Sequence, residues 1–124
     1  GWLVGEVKDV GAVEETQGDD YVDFAVLAAG ELEKDENARG VLFCKNGFGM
    51  VIVANRFAGV RCGLAFDKRA VEKGRSDDDI NCLAIPSEYV SLEEVKEMID
   101  VFLKTKFSGE ERYKRRLDKL KQIK

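Results

Sequence analysis

The sequence predicts an α/β fold: a three-layer, doubly wound (Rossmann-like) parallel sheet with helices on both faces and a basic helix at the C-terminus. Short apolar runs alternate with segments of helical periodicity along the 124 residues. The run at residues 41–44 is continuously apolar, which is typical of a parallel strand buried on both faces. The length, and the lack of a linker or internal repeat in the sequence, indicate one domain over residues 1–124.

The first elements are a strand and a helix. Residues 3–10 predict the strand, and an acidic loop follows it. A helix is expected from Tyr21 because apolar side chains then recur at helical spacing as far as Leu32. Asp19 or Asp20 is placed to cap it, since an aspartate oxygen can accept from the first free amides of a helix.

The middle of the chain alternates strongly between strand and helix patterns. We expect a strand at 41–44, a helix within 49–57, a strand at 60–66, a short helix near 68–75 and a strand at 80–85. This alternation is what a parallel sheet with crossover helices requires.

Two helices are predicted to complete the chain. Each opens with a capping-box pattern, Ser91 with Glu94 and Ser108 with Glu111. The second helix carries an apolar stripe made of Tyr113, Leu117 and Leu120.

Composition excludes several classes of protein. The chain is 44% hydrophobic and 35% charged with a single proline, which indicates a soluble globule and not a disordered or fibrous protein. The sequence holds no apolar run of membrane-spanning length and no signal-peptide pattern, so we expect a cytoplasmic protein without a membrane partner. Three cysteines without a CxxC pair, and no histidine, predict no disulfide framework, no metal and no cofactor.

Charge is unevenly distributed. Residues 112–124 contain seven basic residues and one acidic residue, a local charge of +6, which leaves −10 for residues 1–111 of a chain with net charge −4. The acidic total argues against general nucleic-acid binding, whereas a basic terminal helix can still hold a small anion.

Cys44 is the first candidate for chemistry, because it ends an apolar run and precedes the glycine-containing loop Lys45-Asn46-Gly47-Phe48-Gly49. Ligands of such sheets bind at the carboxyl ends of strands, and glycines let backbone amides turn toward an anion. A thiolate beside such amides could act as nucleophile or base, although a helix terminus contributes only about 0.3–1 kcal/mol to its stabilisation. The alternative is that Cys44 is a small apolar residue at the end of a buried strand; Cys62 and Cys82 are interpreted as core.

Arg112 and Arg116 are the second candidate. Four residues apart on a helix, their guanidinium groups share one face and could hold a phosphate through several charge-assisted hydrogen bonds. The alternative is a solvated basic face.

Four segments occur together in a recognisable order. They are Cys-x-x-Gly-x-Gly-Met at 44–50, VANRFAGVR at 53–61, DDIN at 78–81 and FSGEERYKRRL at 107–117. With them the chain resembles the ribose-5-phosphate isomerase B family, which also contains galactose-6-phosphate isomerase. The stretches DVG at 9–11 and DDYVDFA at 19–25 extend the resemblance, which runs from about Gly5 to the C-terminus.

The resemblance implies a metal-free aldose–ketose isomerisation through an enediolate. Cys44 matches the family's base, and Gly47, Phe48 and Gly49 match the loop whose amides stabilise the enediolate. The other matches are Tyr21, a substrate-contacting residue, Arg112 and Arg116, which bind phosphate, and Asn81, which shapes the loop. The family forms dimers with the site at the subunit interface, so a homodimer, and possibly a tetramer, is implied.

The chain departs from the family pattern at several places. The family's first strand, its helix and the Asp-His loop between them have no counterpart here, so we expect such a unit upstream of Gly1. Lys45-Asn46 replaces a Gly-Thr pair in the substrate-binding loop.

At four other positions the side chain differs in charge or type from the one in the family pattern. Asp77 aligns with the ring-opening histidine and Asp78 with the asparagine after it; Glu88 aligns with a substrate-binding arginine and Tyr113 with a histidine. Asp77 is therefore a candidate acid/base group and Asp78 and Tyr113 are candidate substrate contacts. The alternatives for residues 77–79 are a surface turn or, less readily, a metal-attracting group.

Three functions remain open from the sequence. The first is isomerisation of a sugar phosphate, most simply ribose 5-phosphate to ribulose 5-phosphate, with Cys44 as base. The second is a non-catalytic homologue or partner subunit that binds phosphorylated ligands, because the ring-opening histidine is replaced. The third is a flavodoxin-like signalling or nucleotide-binding module, although the sequence contains no GxGxxG or Walker loop.

Overall fold

The structure is a computed structural model that describes residues 20–123. Its elements in chain order are α1 (Tyr21–Lys34), β1 (Gly40–Cys44), α2 (Phe48–Ala54), β2 (Cys62–Leu64), α3 (Lys68–Asp78), β3 (Cys82–Pro86), α4 (Leu92–Lys104) and α5 (Glu111–Lys121). The strand predicted at 3–10 lies outside the described residues.

Within residues 20–123 the sheet has three parallel strands in the order β1-β3-β2. All five residues of β3 are buried, as expected of a central strand covered on both faces. Cys82 and Ala84 pack with α1 and α2, whereas Leu83 and Ile85 pack with α3 and α4. Helices therefore cover both faces, which confirms the predicted three-layer α/β fold.

Two predicted helix starts are confirmed by their capping contacts. Asp20 accepts from the Val22 amide at 3.0 Å and forms a reciprocal capping box with Asp23 at the start of α1. Ser91 and Glu94 form the same arrangement at the start of α4. Each box satisfies amides that the first turn of a helix cannot satisfy by itself.

The predicted capping box at the start of the last helix is wrong. Gly109 adopts a left-handed conformation with φ of 73°, and α5 then begins at Glu111 with Glu110 at the N-cap position. Ser108 does not form the box, because its amide donates to the Ser76 carbonyl at the end of α3 and its hydroxyl accepts from the Glu110 amide at 3.4 Å. The predicted stripe of α5 is also less covered than expected: in the part of the chain that the structure describes, no residue of α5 is buried.

Helix α3 extends about one turn beyond the predicted 68–75. Arg75, only 4% exposed, donates to the Asp79 carboxylate at 2.8 Å and to the Ile80 and Thr105 carbonyls. Asp79 has φ of 49° and ends the helix. Asp77 and Asp78 are thus the last helical residues, which corrects their interpretation as part of a surface turn.

Strand β2 is shorter than the predicted 60–66. Side chains from neighbouring segments form hydrogen bonds with the backbone of its first residue and of the residues just before it. The side-chain amide of Asn55 accepts from the Cys62 amide at 2.8 Å and donates to the Cys62 carbonyl at 3.0 Å. Asn81, 4% exposed, accepts from the Arg61 amide and donates to the Gly59 carbonyl. These contacts satisfy backbone groups at the start of the strand, where the Arg61 carbonyl also accepts from the Asn81 and Cys82 amides.

The turn between β1 and α2 depends on Gly47. Its φ of 86° is left-handed, and a Cβ atom built there would lie 2.2 Å from Leu64 Cδ1. The backbone conformation therefore requires glycine, and a larger residue would also displace the end of the Leu64 side chain.

We predict that Gly47→Ala lowers the free energy of unfolding by at least about 1–2 kcal/mol, the usual cost of a left-handed residue with a Cβ atom. Gly30→Ala is the matched control: among the described residues, no heavy atom lies within 4 Å of its Cβ position in α1. That variant should be stabilised by about 0.5–1 kcal/mol, since alanine favours helix. Urea unfolding measures the free energy of unfolding of the two variants. Equal values would contradict the conclusion that position 47 requires glycine.

The two core cysteines lie side by side in the sheet. Cys62 of β2 is aligned with Cys82 of β3, and both are buried free thiols, as expected. The hydrogen bond with Cys62, together with burial, raises the pKa of the Cys82 thiol far above its ordinary value. Cys82 therefore stays protonated in the folded chain.

Stability should fall as the pH rises above the ordinary thiol pKa of about 8.5, because the unfolded chain then releases the Cys82 proton and the folded chain retains it. This thiol contributes a slope of about 1.4 kcal/mol per pH unit. Urea unfolding between pH 7.5 and 10 in reducing buffer should give a wild-type profile that is steeper than that of Cys82→Ala by about this slope at the upper end of the range. Parallel profiles would refute the role of Cys82.

Candidate functional site

Cys44 lies at the carboxyl end of β1, opposite Pro86 of β3. Its thiol is half-buried and free, so it is not enclosed in the core as Cys62 and Cys82 are. Backbone amides of Gly47 and Met50, in the turn and first turn of α2, lower the pKa of the Cys44 thiol by their hydrogen-bonding effect. The structure thus brings Cys44 together with the predicted amide loop; Met50 was missed because its side chain is apolar and only its amide takes part.

The pKa of Cys44 is raised above its ordinary value. Burial is the largest cause, the Gly47 and Met50 amides act in the opposite direction, and Cys62 raises the pKa further. The amides therefore offset part of the desolvation of the thiolate but do not reverse it. The thiolate fraction grows as the pH rises, and neutral thiol predominates near pH 7.

The loop after Cys44 is formed by its own polar contacts. Asn46 Oδ1 accepts from the Phe48 amide at 3.1 Å, a contact that forms an Asx turn before α2. Lys45 and Asn46 are exposed, and Phe48 is 61% exposed. The predicted substrate-contacting side chains of this loop are accordingly accessible.

Tyr21 reaches this loop from α1. A Cβ atom on Gly49 would lie 2.6 Å from Tyr21 Cζ and 2.9 Å from its hydroxyl oxygen. Glycine at position 49 thus lets the tyrosine ring lie against the first turn of α2. The structure therefore brings Tyr21 to the same edge of the sheet as Cys44.

The segment after β3 is bonded to the segment after β1. The Ser87 amide and hydroxyl both donate to the Cys44 carbonyl, at 2.7 and 2.9 Å. The Glu88 amide donates to the Lys45 carbonyl at 3.1 Å. Sequence reasoning missed Ser87; the available signal was that it follows a strand adjacent to β1, and carboxyl ends of neighbouring parallel strands meet at one edge.

Asp77 and Asp78 lie at the opposite edge of the sheet. They end α3 shortly before β3 begins, and there the Gly40 amide of β1 donates to the Asn81 carbonyl at 2.8 Å. Five residues of strand separate this edge from Cys44, about 13 Å between the end Cα atoms. Within one chain the structure does not bring Asp77 or Asp78 to the thiol.

Helix α5 presents a pair of arginines around one ring. The guanidinium carbons of Arg112 and Arg116 lie 4.7 and 5.6 Å from the centroid of Tyr113. Arg112 also donates to the Tyr113 hydroxyl at 2.9 Å and contacts the Glu110 carboxylate at 3.3 Å. The pKa of Arg112 is raised above its ordinary value. The largest cause is the Coulombic interaction with Tyr113, followed by that with the Glu110 carboxylate. The arginines thus share one exposed face, at the edge of the sheet where α3 ends.

Asn81 acts in the fold and not at the exposed face. Both of its side-chain hydrogen bonds, to Arg61 and Gly59, are internal. Among residues 20–123, no group of three or more histidine, cysteine or acidic side chains is arranged to hold a metal ion. The helices that the structure describes include none long and apolar enough to cross a membrane.

Comparisons with known proteins agree on one family. The family model described as Ribose/Galactose Isomerase matches residues 3–120. A probable ribose-5-phosphate isomerase B of Mycoplasma pneumoniae is 34% identical over 110 residues, which are 89% of this chain and 72% of that protein.

Solved structures give the same result. Ribose-5-phosphate isomerase B of Mycoplasma genitalium with bound ribulose-5-phosphate has a TM-score of 0.86 at 34% identity, over 92% of this chain and 75% of the other. A ribose 5-phosphate isomerase of Thermotoga maritima has a TM-score of 0.87 at 33% identity, over 95% and 80%. The chain belongs to the ribose/galactose isomerase family of sugar-phosphate isomerases.

Proposed function

We propose that the protein interconverts ribose 5-phosphate and ribulose 5-phosphate through an enediolate, with Cys44 as the base and without a metal ion. The observation that carries the proposal is the half-buried, free Cys44 thiol at the carboxyl end of β1, directly before the left-handed turn at Gly47 that begins α2. Family membership supports the sugar phosphate as substrate, and the M. genitalium relative is described with ribulose-5-phosphate bound.

The proposed chemistry moves one proton between adjacent carbons. The Cys44 thiolate removes the proton from C2 of the open-chain aldose; the C–H electrons form a C1–C2 double bond, and the carbonyl electrons move to O1. Fixed amides beside the substrate stabilise that developing negative charge. The thiol then returns the proton to C1 while the O2 proton passes to O1, which leaves the ketose and restores the thiolate.

We propose Gly47, Phe48 and Gly49 as the amide loop, with Tyr21, Lys45 and Asn46 as further substrate contacts. All lie at the edge of the sheet where Cys44 lies. The Phe48 amide is already paired with Asn46, so substrate must either share that amide or use its neighbours.

The complete site requires a second copy of the chain in this proposal. Cys44 lies at one edge of the sheet, whereas Asp77, Asp78 and the arginine pair lie toward the other. A homodimer in which α5 and the end of α3 of one copy reach Cys44 of the other would unite them. Arg112 and Arg116 would then bind the phosphate, with Tyr113 between them and Asp77 as the acid/base group.

A second function is favoured by one specific contact. The hydrogen bond from the Glu88 amide to Lys45 holds an acidic residue beside the Cys44 loop, where it could repel a phosphate dianion. A non-catalytic partner subunit that binds phosphorylated ligands is therefore the alternative.

The experiment is an isomerisation assay of the purified protein with ribose 5-phosphate, compared with galactose 6-phosphate, in the presence of EDTA. We expect turnover of the pentose phosphate, and at least a roughly 100-fold loss in Cys44→Ala, because general-base catalysis typically contributes that much. Cys62→Ala, the same substitution in β2, which β3 separates from β1, should stay active.

Circular dichroism spectra of both variants test that they are folded. Binding of ribose 5-phosphate by calorimetry without any turnover would contradict the isomerase and support the partner subunit. Equal activity of Cys44→Ala and wild type would exclude Cys44 as the base.

A further inference from the structure

Ser87 makes an unusual double contact with Cys44. Its amide and its hydroxyl both donate to the same carbonyl oxygen, that of Cys44, at 2.7 and 2.9 Å. The amide contact continues the pairing of β1 with β3, which ends at Cys44 opposite Pro86. The hydroxyl contact is additional, since it depends on the side chain at position 87 and not on the sheet.

The held carbonyl controls how the chain leaves β1. Its orientation fixes the peptide plane between Cys44 and Lys45, and three residues after Cys44 the chain turns at Gly47, whose backbone is left-handed. The Glu88 amide holds the next carbonyl, that of Lys45, at 3.1 Å. Two consecutive carbonyls of the reactive segment are therefore fixed by the segment after β3.

We propose that Ser87 is a positioning residue: by its hydroxyl it holds the Cys44 carbonyl so that the thiol keeps its place before the Gly47 turn and the first turn of α2. Its hydroxyl bonds to the carbonyl of Cys44 and so acts through the backbone of that residue. A role of Ser87 in catalysis rests on the proposed function. The effect of Ser87 on the Cys44 thiol does not depend on that function.

Among residues 20–123, four ionisable groups lie on the segments around Cys44. They are Cys62 on β2, which raises the Cys44 pKa, Lys45 next in the chain, Glu88 on the bonded segment and Tyr21 from α1. A substitution of Ser87 changes none of them. A change in thiol titration would therefore report the position of the amides and not a new charge.

The test is the pH dependence of Cys44 alkylation by iodoacetamide, followed peptide by peptide by mass spectrometry so that Cys62 and Cys82 are scored separately. The midpoint of the pH profile reports the pKa of the Cys44 thiol. A change in access to the sulfur alters only the alkylation rate at the plateau. In Ser87→Ala we expect the midpoint to move to higher pH and the alkylation rate at pH 7.5 to fall roughly threefold. This is about the effect of weakening one hydrogen bond.

Two variants serve as controls. Ser87→Thr keeps a hydroxyl and should restore the wild-type midpoint. Ser91→Ala removes the cap of α4 and lowers stability without touching the Cys44 segment, so its midpoint should equal that of the wild type. Thermal melts of the three variants verify that each is folded during labelling.

An unchanged or lower midpoint in Ser87→Ala would overturn the proposal, as would an equal shift in Ser91→Ala. If the protein isomerises ribose 5-phosphate, Ser87→Ala should also lower kcat with little change in KM. A shifted midpoint in a protein without turnover would leave the positioning role intact and reject the proposed function.

Discussion

The parallel pairing of β1 with β3 is the constraint on which the rest of the structure depends. It places Cys44 opposite Pro86, so the segments that follow the two strands meet and Ser87 can bond to the Cys44 carbonyl. The same pairing places the end of α3 at the other edge, together with the helix that carries the arginine pair. This register thus brings Cys44 and the Gly47 turn to one edge of the sheet. It separates them from Arg112 and Arg116 of the same chain.

Much of this arrangement could be predicted from the sequence because it follows from local chemistry. Apolar runs predicted β1 and β3, an aspartate cap predicted the start of α1, and the Ser91–Glu94 capping box predicted the start of α4. Gly47 predicted the turn after Cys44, since its left-handed backbone is one that glycine readily adopts. The loop of the candidate site could therefore be read from its own residues.

The remaining features depend on contacts between segments distant in sequence. The added turn of α3 is held by Arg75, which reaches Thr105 thirty residues later, and nothing local signals that contact. Ser87 meets Cys44 across 43 positions of sequence. The Ser108 capping box matched a local pattern but was overridden, because the Ser108 amide bonds to α3 and Gly109 delays the helix. The separation of Asp77 from Cys44 likewise emerged only from the strand register.

Complementation between two inactive variants tests most directly whether the thiol and the arginines of different copies share one site. Cys44→Ala and the double variant Arg112→Ala/Arg116→Ala should each be inactive, and co-refolding equal amounts should restore about a quarter of wild-type activity, since half of randomly paired dimers carry one complete site. Co-refolding Cys44→Ala with a chain that bears all three substitutions should restore none. Absence of recovery in the first mixture, with hybrid dimers verified by native mass spectrometry, would contradict the account.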